Sequence, residues 1–358
     1  MGTAETAGGR RGPVPGPIGA GLARLYRVAI ARINRRFDEG RGVVRFDRPV
    51  ISVGNLSVGG TGKTPLVRHI VRVLLEAGHR PCIAMRGYKG GAGESDEAAA
   101  YRREFAEVPV VAQSNRTDGL IALFGEEHDS DGPHRDCVVL DDGFQHRQVG
   151  RELDIVLIDA SRSPFEDRLL PAGWLREPVE SLKRAGLVVV THAESVSAEH
   201  LRELDSKIAA VRGRGAEAVT RHAWDGVEVH EGAGCVDRGV SWLRGKRVLA
   251  VCAIGNPGPF LAEAERTAGT PLAGSIVLRD HDAYAAPTVQ RIIERARESG
   301  AHVVLVTAKD WAKLRNVRPD AWPCPVAVVR LELTFVRGEA SLLEAVQSTV
   351  ERGVPEGD

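Results

Sequence analysis

Apolar residues along this chain come in short continuous runs, separated by longer segments with helical spacing. Between residues 49 and 220 the runs are PVISV, PCIAM, VPVVA, CVVLDD, DIVLID and GLVVVT. Continuous apolar runs, in place of alternating ones, indicate strands of a parallel sheet that is covered on both faces. Segments with helical spacing lie between several of them, most clearly at 64–77 and 197–212. The pattern predicts an α/β domain with a mostly parallel sheet.

A second block of the same character follows a short stretch that differs from both. Between residues 219 and 245, WDGVEVH and GCVDRGVSWL are short, half-polar and punctuated by glycine, which is typical of linker strands. After them the apolar runs return, with helical spacing near 258–268 and 286–299. The predicted division is a first α/β domain at 39–218, linker strands at 219–245, a smaller second α/β domain at 246–330, and a return strand with a C-terminal helix at 331–358.

The N-terminal segment precedes the sheet pattern and divides into two parts. Residues 1–17 are rich in glycine and proline, and their composition predicts disorder. Residues 18–38 predict a basic amphipathic helix, because apolar residues recur at helical spacing among several arginines. Such a helix either lies in a membrane interface with its arginines among anionic headgroups, or packs on its own domain with its arginines solvated. The spacing alone does not separate these two interpretations.

Composition and charge narrow the class of protein. The chain has 358 residues, 43% of them hydrophobic and 27% charged, which is typical of a soluble globular protein with room for two domains. Its formal net charge of zero supplies no field that would favour nucleic acid. No run approaches the roughly 18 apolar residues of a membrane-spanning helix. The five cysteines include no C-x-x-C pair, so we expect buried reduced thiols and no zinc site.

The sequence VISVGNLSVGGTGKTPLV, at residues 50–67, combines a short apolar strand, a glycine-rich turn and the start of a helix. Such a turn directs free backbone N–H groups and the positive end of the helix dipole at one point, which favours phosphate. Lys63 would reach the β- and γ-phosphates, and Thr64 would bind Mg²⁺. The usual P-loop pattern has glycine where this chain has Ser57, but the strand–loop–helix context supports the motif. The residues expected to contact a nucleoside triphosphate are Ser57, Val58, Gly59, Gly60, Thr61, Gly62, Lys63 and Thr64.

Charged residues follow several of the predicted strands, where the ligands of parallel sheets bind. Asp141 and Asp142 come after CVVL, and a carboxylate there, downstream of a phosphate loop, is the usual second magnesium-binding element. One of the pair would hold the metal and the other would orient water or substrate. Arg86 follows PCIAM and either contacts phosphate or an acidic substrate, or lies in a plain surface loop. In PAGWLREP, Arg176 would stabilise charge on a transferring phosphoryl group, unless the loop is only a structural crossover.

Two motifs of the second block carry candidate chemistry. RDHDAY places His281 between two aspartates after an apolar run. His281 could act as a base or orient one, although a histidine at a strand end is more often a surface residue. TAKDWAKL contains Lys309 and Asp310 and loosely matches the type of motif that reads guanine bases. In the first block, Asp96 stands in a polar stretch and by itself is an ordinary surface acid.

Six motifs, taken in order, resemble those of one enzyme family: SVGNLSVGGTGKTP, RGYKG, LDDGFQH, PAGWLREP, RDHDAY and TAKDWAKL. The chain is similar in them to the tetraacyldisaccharide 4'-kinases, the lipid A 4'-kinases, over roughly residues 18–340. In that family Ser or Thr stands at the position of Ser57. The resemblance implies an α/β fold, with a P-loop NTPase-type parallel sheet domain and a second, smaller α/β domain joined by linker strands. It also implies transfer of the γ-phosphate of ATP, with Mg²⁺, to the 4'-hydroxyl of a tetraacyldisaccharide 1-phosphate.

The resemblance assigns roles to residues by their position in these motifs. It implies that an aspartate accepts the hydroxyl proton with help from a histidine, and Asp96 and His281 are the matching residues. The implied catalytic residues are Asp96, His281, Arg176 and Asp142, and the implied metal ligands are Thr64, Asp141 and Glu177. The nucleotide is further expected to meet Lys309 and Asp310, and the substrate to meet Arg86, Tyr88 and Gln145.

An acylated substrate suits an interfacial helix at 18–38. We therefore expect peripheral attachment to the cytoplasmic face of the bacterial inner membrane, a monomer, and no nucleic-acid partner.

The alternative function is that of a P-loop GTPase of the metallochaperone or maturation type, which TAKD and the paired acids favour. The basic helix and the lack of a Cys/His cluster count against it. A third interpretation, an inactive membrane-attached interaction protein, is disfavoured by the intact Lys63 and Thr64. Preference for ATP over GTP would separate the first two.

Overall fold

The computed structural model describes residues 12–87, 96–129, 132, 134–255, 257–280 and 282–353, without the side chain of Asp96. The chain forms two compact units. Unit 1 is built from the chain up to Arg221 and again from Leu333 onward, and unit 2 is built from His222–Glu332. The polypeptide passes from one unit to the other within two long strands, β7 (Ala218–Glu231) and β12 (Val326–Arg337).

Strands and helices alternate along much of the chain. The other strands are β1 (Val50–Asn55), β2 (Pro81–Arg86), β3 (Val110–Gln113), β4 (Cys137–Asp141), β5 (Leu153–Asp159), β6 (Leu187–Thr191), β8 (Gly234–Gly239), β9 (Val248–Cys252), β10 (Gly274–Val277) and β11 (Val303–Thr307). The helices are α1 (Gly16–Asp38), α2 (Lys63–Glu76), α3 (Asp96–Glu104), α4 (Arg116–His128), α5 (Ala198–Arg212), α6 (Gly258–Ala268), α7 (Ala286–Glu298), α8 (Ala308–Leu314) and α9 (Glu339–Arg352).

The sheet of unit 1 has the order β6-β5-β1-β4-β2-β3, with every neighbouring pair parallel. From β1 the chain moves outward to β2 and β3, returns to place β4 between β1 and β2, and then adds β5 on the other side of β1. The direction of winding therefore reverses beside β1. Ligands of open parallel sheets bind at the carboxyl ends of the strands at such a reversal.

Both faces of this sheet are covered by apolar side chains. On one face, Ile51 and Val53 of β1 pack with Leu66 and Ile70 of α2 in a single buried cluster. On the other face, Val50 packs with residues of β2, β4 and α4. Alternate residues of a strand point to opposite faces, so a sheet covered on both sides requires unbroken apolar runs. This confirms the parallel α/β fold that the runs predict.

Unit 2 contains a parallel array in the order β10-β9-β11-β12. The strand β9 is buried on both faces, since Val248 and Ala250 belong to one apolar cluster and Leu249 and Val251 to another. Strand β7 continues into unit 2. The chain then turns after Glu231, and β8 runs back beside β7 to form an antiparallel hairpin.

The predicted disorder of residues 1–17 is wrong for residues 12–17. The backbone N–H of Gly12 donates to the carbonyl of Ala172 at 3.1 Å, and that of Val14 donates to Pro171 at 3.0 Å. Composition could not reveal these partners, because they lie far away in the sequence. Residues 1–11 lie outside the described part of the chain. Among the described residues, no helix combines the length and apolar character needed to cross a bilayer.

Candidate active site

The loop between β1 and α2 adopts backbone conformations that require glycine. Gly59 has φ 124° and Gly62 has φ 80°, both in the left-handed region where other residues are strained. Gly62 is the N-cap residue of α2, and no side chain within the described residues caps that helix end. The N–H groups of the first helical turn are therefore available to an anion, as the sequence predicts.

Hydrogen bonds to neighbouring elements hold this loop in place. The Asn55 side-chain amide donates to the Thr61 hydroxyl at 2.8 Å, and the Thr191 hydroxyl at the end of β6 donates to the Thr61 carbonyl at 2.9 Å. The Val58 N–H donates to the Trp174 carbonyl at 2.8 Å. The loop is thus joined to the PAGWLREP segment as well as to the sheet. These contacts lower the conformational entropy that the loop loses when it binds a ligand.

Asp142 lies between two cationic side chains at the end of β4. One of its carboxylate oxygens is 3.4 Å from Lys63 Nζ, and the other accepts a 2.7 Å hydrogen bond from Arg176. Its backbone has φ 53°, and its carbonyl accepts a 2.9 Å hydrogen bond from Arg116. Burial acts to raise the pKa of Asp142, but Lys63 and Arg176 outweigh it and hold that pKa below its usual value. Asp142 is therefore an ionised centre that orients the two cations.

Asp141 has a different environment, although it is the preceding residue. It is buried, and burial, aided by the charge of Glu97, raises its pKa to about 6. One carboxylate oxygen accepts a 2.9 Å hydrogen bond from the Tyr101 hydroxyl, while Oδ1 is buried without a hydrogen-bond partner among the described residues. The Tyr101 hydroxyl also interacts with the Thr64 side chain. Asp141 and Thr64 thus contact the same tyrosine hydroxyl, and the buried Oδ1 of Asp141 without a donor is an oxygen that a hard cation would satisfy.

Glu177 and Gln145 connect Arg176 to the rest of unit 1. Gln145 donates to the Asn55 carbonyl at 2.8 Å and to Glu177 at 3.2 Å, and it accepts a 3.3 Å hydrogen bond from Arg176. Glu177 is only 2% exposed. Its carboxylate accepts hydrogen bonds from Asn34, Gln145, Ser181 and Arg184. Burial acts to raise the pKa of Glu177, but the hydrogen bond and charge of Arg184 outweigh it and lower that pKa.

Helix α1 contacts the same segment of chain. The Tyr26 hydroxyl donates to the backbone carbonyl of Arg176 at 2.9 Å, and the Asn34 amide donates to Glu177 at 2.8 Å. The face of α1 that carries Tyr26 and Asn34 is therefore part of the support of the site.

A family model described as tetraacyldisaccharide-1-P 4'-kinase matches residues 18–351, nearly the whole chain. The chain belongs to the tetraacyldisaccharide 4'-kinase family. It is 34% identical to a tetraacyldisaccharide 4'-kinase of Anaeromyxobacter dehalogenans, covering 92% of this chain and 91% of the relative. It is 35% identical to one from Geobacter metallireducens, covering 87% and 92%.

A solved structure supports the same assignment. The chain resembles the crystal structure of LpxK from Aquifex aeolicus in complex with ATP, with a TM-score of 0.67 and 26% identity over 92% of this chain and 98% of that one. The family resemblance and the α/β fold predicted from the motifs are confirmed. The alternative of a P-loop GTPase of the metallochaperone type is not favoured, because the relatives are sugar-lipid kinases by name.

The structure brings most of the candidate residues of unit 1 together. Lys63, Asp142, Arg176, Gln145 and Glu177 form one connected set of contacts. Asp141 adjoins them in the chain, and Arg86 is an exposed residue at the end of β2. Tyr88 and His281 lie outside the described residues, and α3 begins at Asp96 without a described side chain. The roles given to these three by resemblance stay predictions.

The remaining candidates, Lys309 and Asp310, lie in unit 2. Lys309 is exposed, whereas Asp310 is buried and its carboxylate accepts hydrogen bonds from the Thr307 hydroxyl at 2.6 Å and the Ala253 N–H at 3.1 Å. Thr307 in turn caps α8 by accepting from the Asp310 N–H. This reciprocal cap accounts for the Thr-x-x-Asp spacing without a nucleotide, so a nucleotide role for Lys309 and Asp310 rests on resemblance alone.

Sequence reasoning missed three residues of the site. Tyr101 contacts Asp141 from α3, Arg116 contacts the Asp142 carbonyl from the start of α4, and Asn55 holds Thr61. Only Asn55 had a usable signal, since a polar residue ending a buried strand needs a partner. Tyr101 and Arg116 lie in helices whose packing on the sheet the sequence pattern does not specify.

Proposed function

We propose that this chain transfers the γ-phosphate of ATP to the 4'-hydroxyl of a tetraacyldisaccharide 1-phosphate, a step of lipid A synthesis. The observation that carries the proposal is the array of Lys63, Asp142 and Arg176 beside an intact phosphate loop. Phosphoryl transfer depends on positioning and on neutralising charge, and this array supplies two oriented cations where a triphosphate would end.

The phosphate groups would be held by the loop and by these cations. The N–H groups at the start of α2 would receive phosphate oxygens, and Lys63 would meet the β- and γ-phosphates. Arg176 would stabilise the charge that develops on the transferring group. Asp142 is well suited to keep both cations oriented while no phosphate is present, because it contacts each of them.

The acidic residues fit a magnesium ion. Thr64 and Asp141 are the best-supported ligands, because the buried Oδ1 of Asp141 has no hydrogen-bond partner among the described residues. When bound, Mg²⁺ would neutralise charge on the phosphate oxygens. Direct ligation by Glu177 has less support, since both of its oxygens accept hydrogen bonds from protein donors. We assign Glu177 to holding Gln145 and, through it, Arg176.

Asp96 is our candidate for the base that accepts the proton of the sugar hydroxyl, with His281 as its helper. Tyr101 lies on the same helix as Asp96 and hydrogen-bonds Asp141, so α3 is anchored at the site. The assignment of Asp96 and His281 rests otherwise on motif position.

We further propose that α1 attaches the enzyme to a membrane surface. Its exposed apolar side chains include Ile18, Leu22 and Leu25, at 74%, 43% and 68% exposure, and arginines accompany them along the helix. An amphipathic helix of this composition binds at the interface of an anionic bilayer. Peripheral attachment to the cytoplasmic face of the inner membrane would bring the site to a lipid substrate.

Transfer of labelled γ-phosphate from ATP to detergent-dispersed tetraacyldisaccharide 1-phosphate tests the proposal. We expect label in the lipid, reduced at least about 1,000-fold in Lys63→Ala because a positioned phosphate contact is lost. Lys207→Ala removes a solvent-accessible lysine of α5 that pairs with Glu166, and it should be unchanged. Nucleotide binding without any transfer to the lipid would sink the kinase assignment, and GTP used in preference to ATP would revive the GTPase.

A further inference from the structure

A second cluster of chemically active side chains lies in unit 2, on the β7–β8 hairpin. The register pairs Glu228 with Asp237 and His230 with Cys235. Gly232, at φ 57°, opens the two-residue turn at 232–233 and so fixes that register. Residues two apart on one strand share a face, and so do directly opposed residues of paired strands. The four side chains therefore project from the same face of the hairpin.

That face points away from the apolar cluster of unit 2 that contains Val227 and Val229. Val227 and Val229 alternate with Glu228 and His230 on β7, and both valines are buried in a core cluster. Glu228 and His230 are half-buried, and Cys235 is exposed. The cluster is therefore accessible to a small ion without any rearrangement of the core.

The distances between the three donor atoms match those around a metal. Cys235 Sγ is 3.8 Å from His230 Nε2, and His230 Nε2 is 3.5 Å from Glu228 Oε2. Donor atoms of all three residues lie within 4.8 Å of one another. Tetrahedral zinc with ordinary bond lengths would separate sulfur from nitrogen by about 3.6 Å and nitrogen from oxygen by about 3.4 Å. Closing on the ion thus requires movements of only a few tenths of an ångström in these two distances.

A neighbouring aromatic ring orients the central ligand. The imidazole of His230 stacks on the Trp311 indole, with ring centroids 4.2 Å apart and an interplanar angle of 29°. The stack restricts rotation of the imidazole, which lowers the entropy that a ligand must lose on binding. His230, Cys235 and Trp311 also line a cavity of about 290 Å³. A water or small ligand at a fourth coordination position would have room there.

The hairpin also carries acidic side chains, and one arginine offsets two of them. Arg330 lies 3.0 Å from Asp237 and 3.5 Å from Asp225, and so offsets these acids. Burial, together with the charges of Glu228 and Asp237, raises the pKa of the Cys235 thiol. A bound divalent cation reverses that effect, because it stabilises the thiolate.

We propose that Glu228, His230 and Cys235 form a binding site for a zinc-type divalent cation, with one coordination position left to water. Thiolate, imidazole and carboxylate together suit Zn²⁺ and exclude Mg²⁺ and Ca²⁺, which take oxygen ligands. The sequence argued against zinc because no two cysteines stand close together. A ligand set assembled across a hairpin depends on which residues face each other, and the absence of a Cys-x-x-Cys pair does not test for it.

Cobalt(II) titration of the full chain tests the proposal, after treatment with chelator and reductant. Cobalt in place of zinc produces a thiolate-to-metal charge-transfer band and intense visible bands when four-coordinate, and the magnesium residues of unit 1 supply no thiolate. We expect the band to saturate at one equivalent and to disappear when Zn²⁺ is added. In Cys235→Ser we expect loss of the band and an affinity at least about 100-fold weaker, since even outer partners of a metal site are worth 10- to 100-fold.

Two further variants keep the test decisive. Cys324→Ser removes the other cysteine that lines the same cavity, and it should retain both the band and the affinity. Glu228→Gln should keep the thiolate band but weaken binding at least 10-fold. A wild-type chain without the band, or a band that survives in Cys235→Ser, would overturn the proposal. Loss of the band in Cys324→Ser alone would place the metal elsewhere and overturn it as well.

Discussion

The charged cluster at the end of β4 and the outer face of α1 differ in how their charged side chains are arranged. In the cluster, Lys63 and Arg176 are held by one carboxylate at 3.4 and 2.7 Å, and the groups are largely removed from solvent. On α1, Ile18 and Leu25 are 74% and 68% exposed among arginines that follow the helix. Reaction at one phosphate needs few charges at fixed positions, whereas attachment to a lipid surface needs apolar area and general positive charge.

The two regions meet along the inner face of α1. Tyr26 and Asn34 hydrogen-bond the Arg176 carbonyl and the Glu177 carboxylate, while Leu22 and Leu25 on the same helix remain exposed. One helix therefore carries both the surface that we propose for membrane binding and contacts to the segment that holds Arg176, the arginine for which we propose a catalytic role. Substitutions in the two regions should separate turnover from membrane binding.

The largest effect is expected at Arg176. Within the described residues, the Asp142 carboxylate forms ion pairs with Lys63 and Arg176, and Arg176→Ala leaves it the pair with Lys63. The same change removes the group that would stabilise the transferring phosphate. We expect a loss of at least about 1,000-fold in phosphate transfer, since an arginine in this role contributes 10³–10⁵. Arg176→Lys should recover only part of it, because a lysine lacks the planar fork of donors. Labelled-phosphate transfer measures both.

The same variant sharpens the comparison with α1. Tyr26 contacts the backbone of residue 176, so Arg176→Ala keeps the anchor of the helix and should bind anionic vesicles like the wild type. Arg168→Ala, an exposed arginine eight residues earlier, is the matched control and should transfer phosphate normally. Equal losses in the two variants would mean that general charge, and not position, matters in this loop.

The next effect concerns stability, at Asp141. Its pKa is raised from 3.8 to about 6 by burial, so the folded chain holds this proton more tightly than the unfolded chain does. The stability that the protonated carboxyl contributes is fully present below about pH 4 and is lost as pH rises through 6. At pH 7 without metal, Asp141→Asn should therefore raise the free energy of unfolding, by an amount of up to about 3 kcal/mol. Denaturant unfolding in chelator, with and without Mg²⁺, measures it.

Three further results bear on that prediction. The difference between variant and wild type should shrink as the pH is lowered from 7 to 4, and added Mg²⁺ should stabilise the wild type more than the variant. The variant should transfer little phosphate. If Asp141→Asn destabilised the protein at pH 7 in chelator, the carboxylate would be well solvated or paired, and the case for a metal beside it would weaken.

Much of the fold followed from the sequence, because burial on both faces leaves a direct mark on it. The runs around Ile51 and Val139 are unbroken because alternate residues face opposite helical layers. The segment at residues 12–17 shows the opposite case. Its glycines and prolines favour disorder by composition, yet the backbone finds partners at Pro171 and Ala172. Long-range hydrogen bonds of this kind leave no local pattern.

The site divides in the same way. Lys63, Asp142 and Arg176 belong to motifs that indicate their chemistry, and in the structure they form a pair of ion pairs centred on Asp142. The sequence could not tell that Asp141 and Asp142 would have pKa values displaced in opposite directions, because that depends on which side chains surround each. The buried Tyr101 depends likewise on how α3 packs. Motifs identify reacting groups, whereas packing decides their charge.

The smallest expected effect lies on the outer face of α1. Replacing both Leu22 and Leu25 by Ser removes apolar area that is exposed in the structure, so the free energy of unfolding should change little. Binding to vesicles with anionic lipid should weaken at least about 10-fold, since each leucine that enters the interface contributes a kcal/mol or more. Phosphate transfer to micellar substrate should stay within a few-fold of the wild type. Ile121→Ser, a 53% exposed residue of α4, is the control and should bind vesicles normally. Vesicle binding that survives in the double variant would assign the attachment to a surface other than α1.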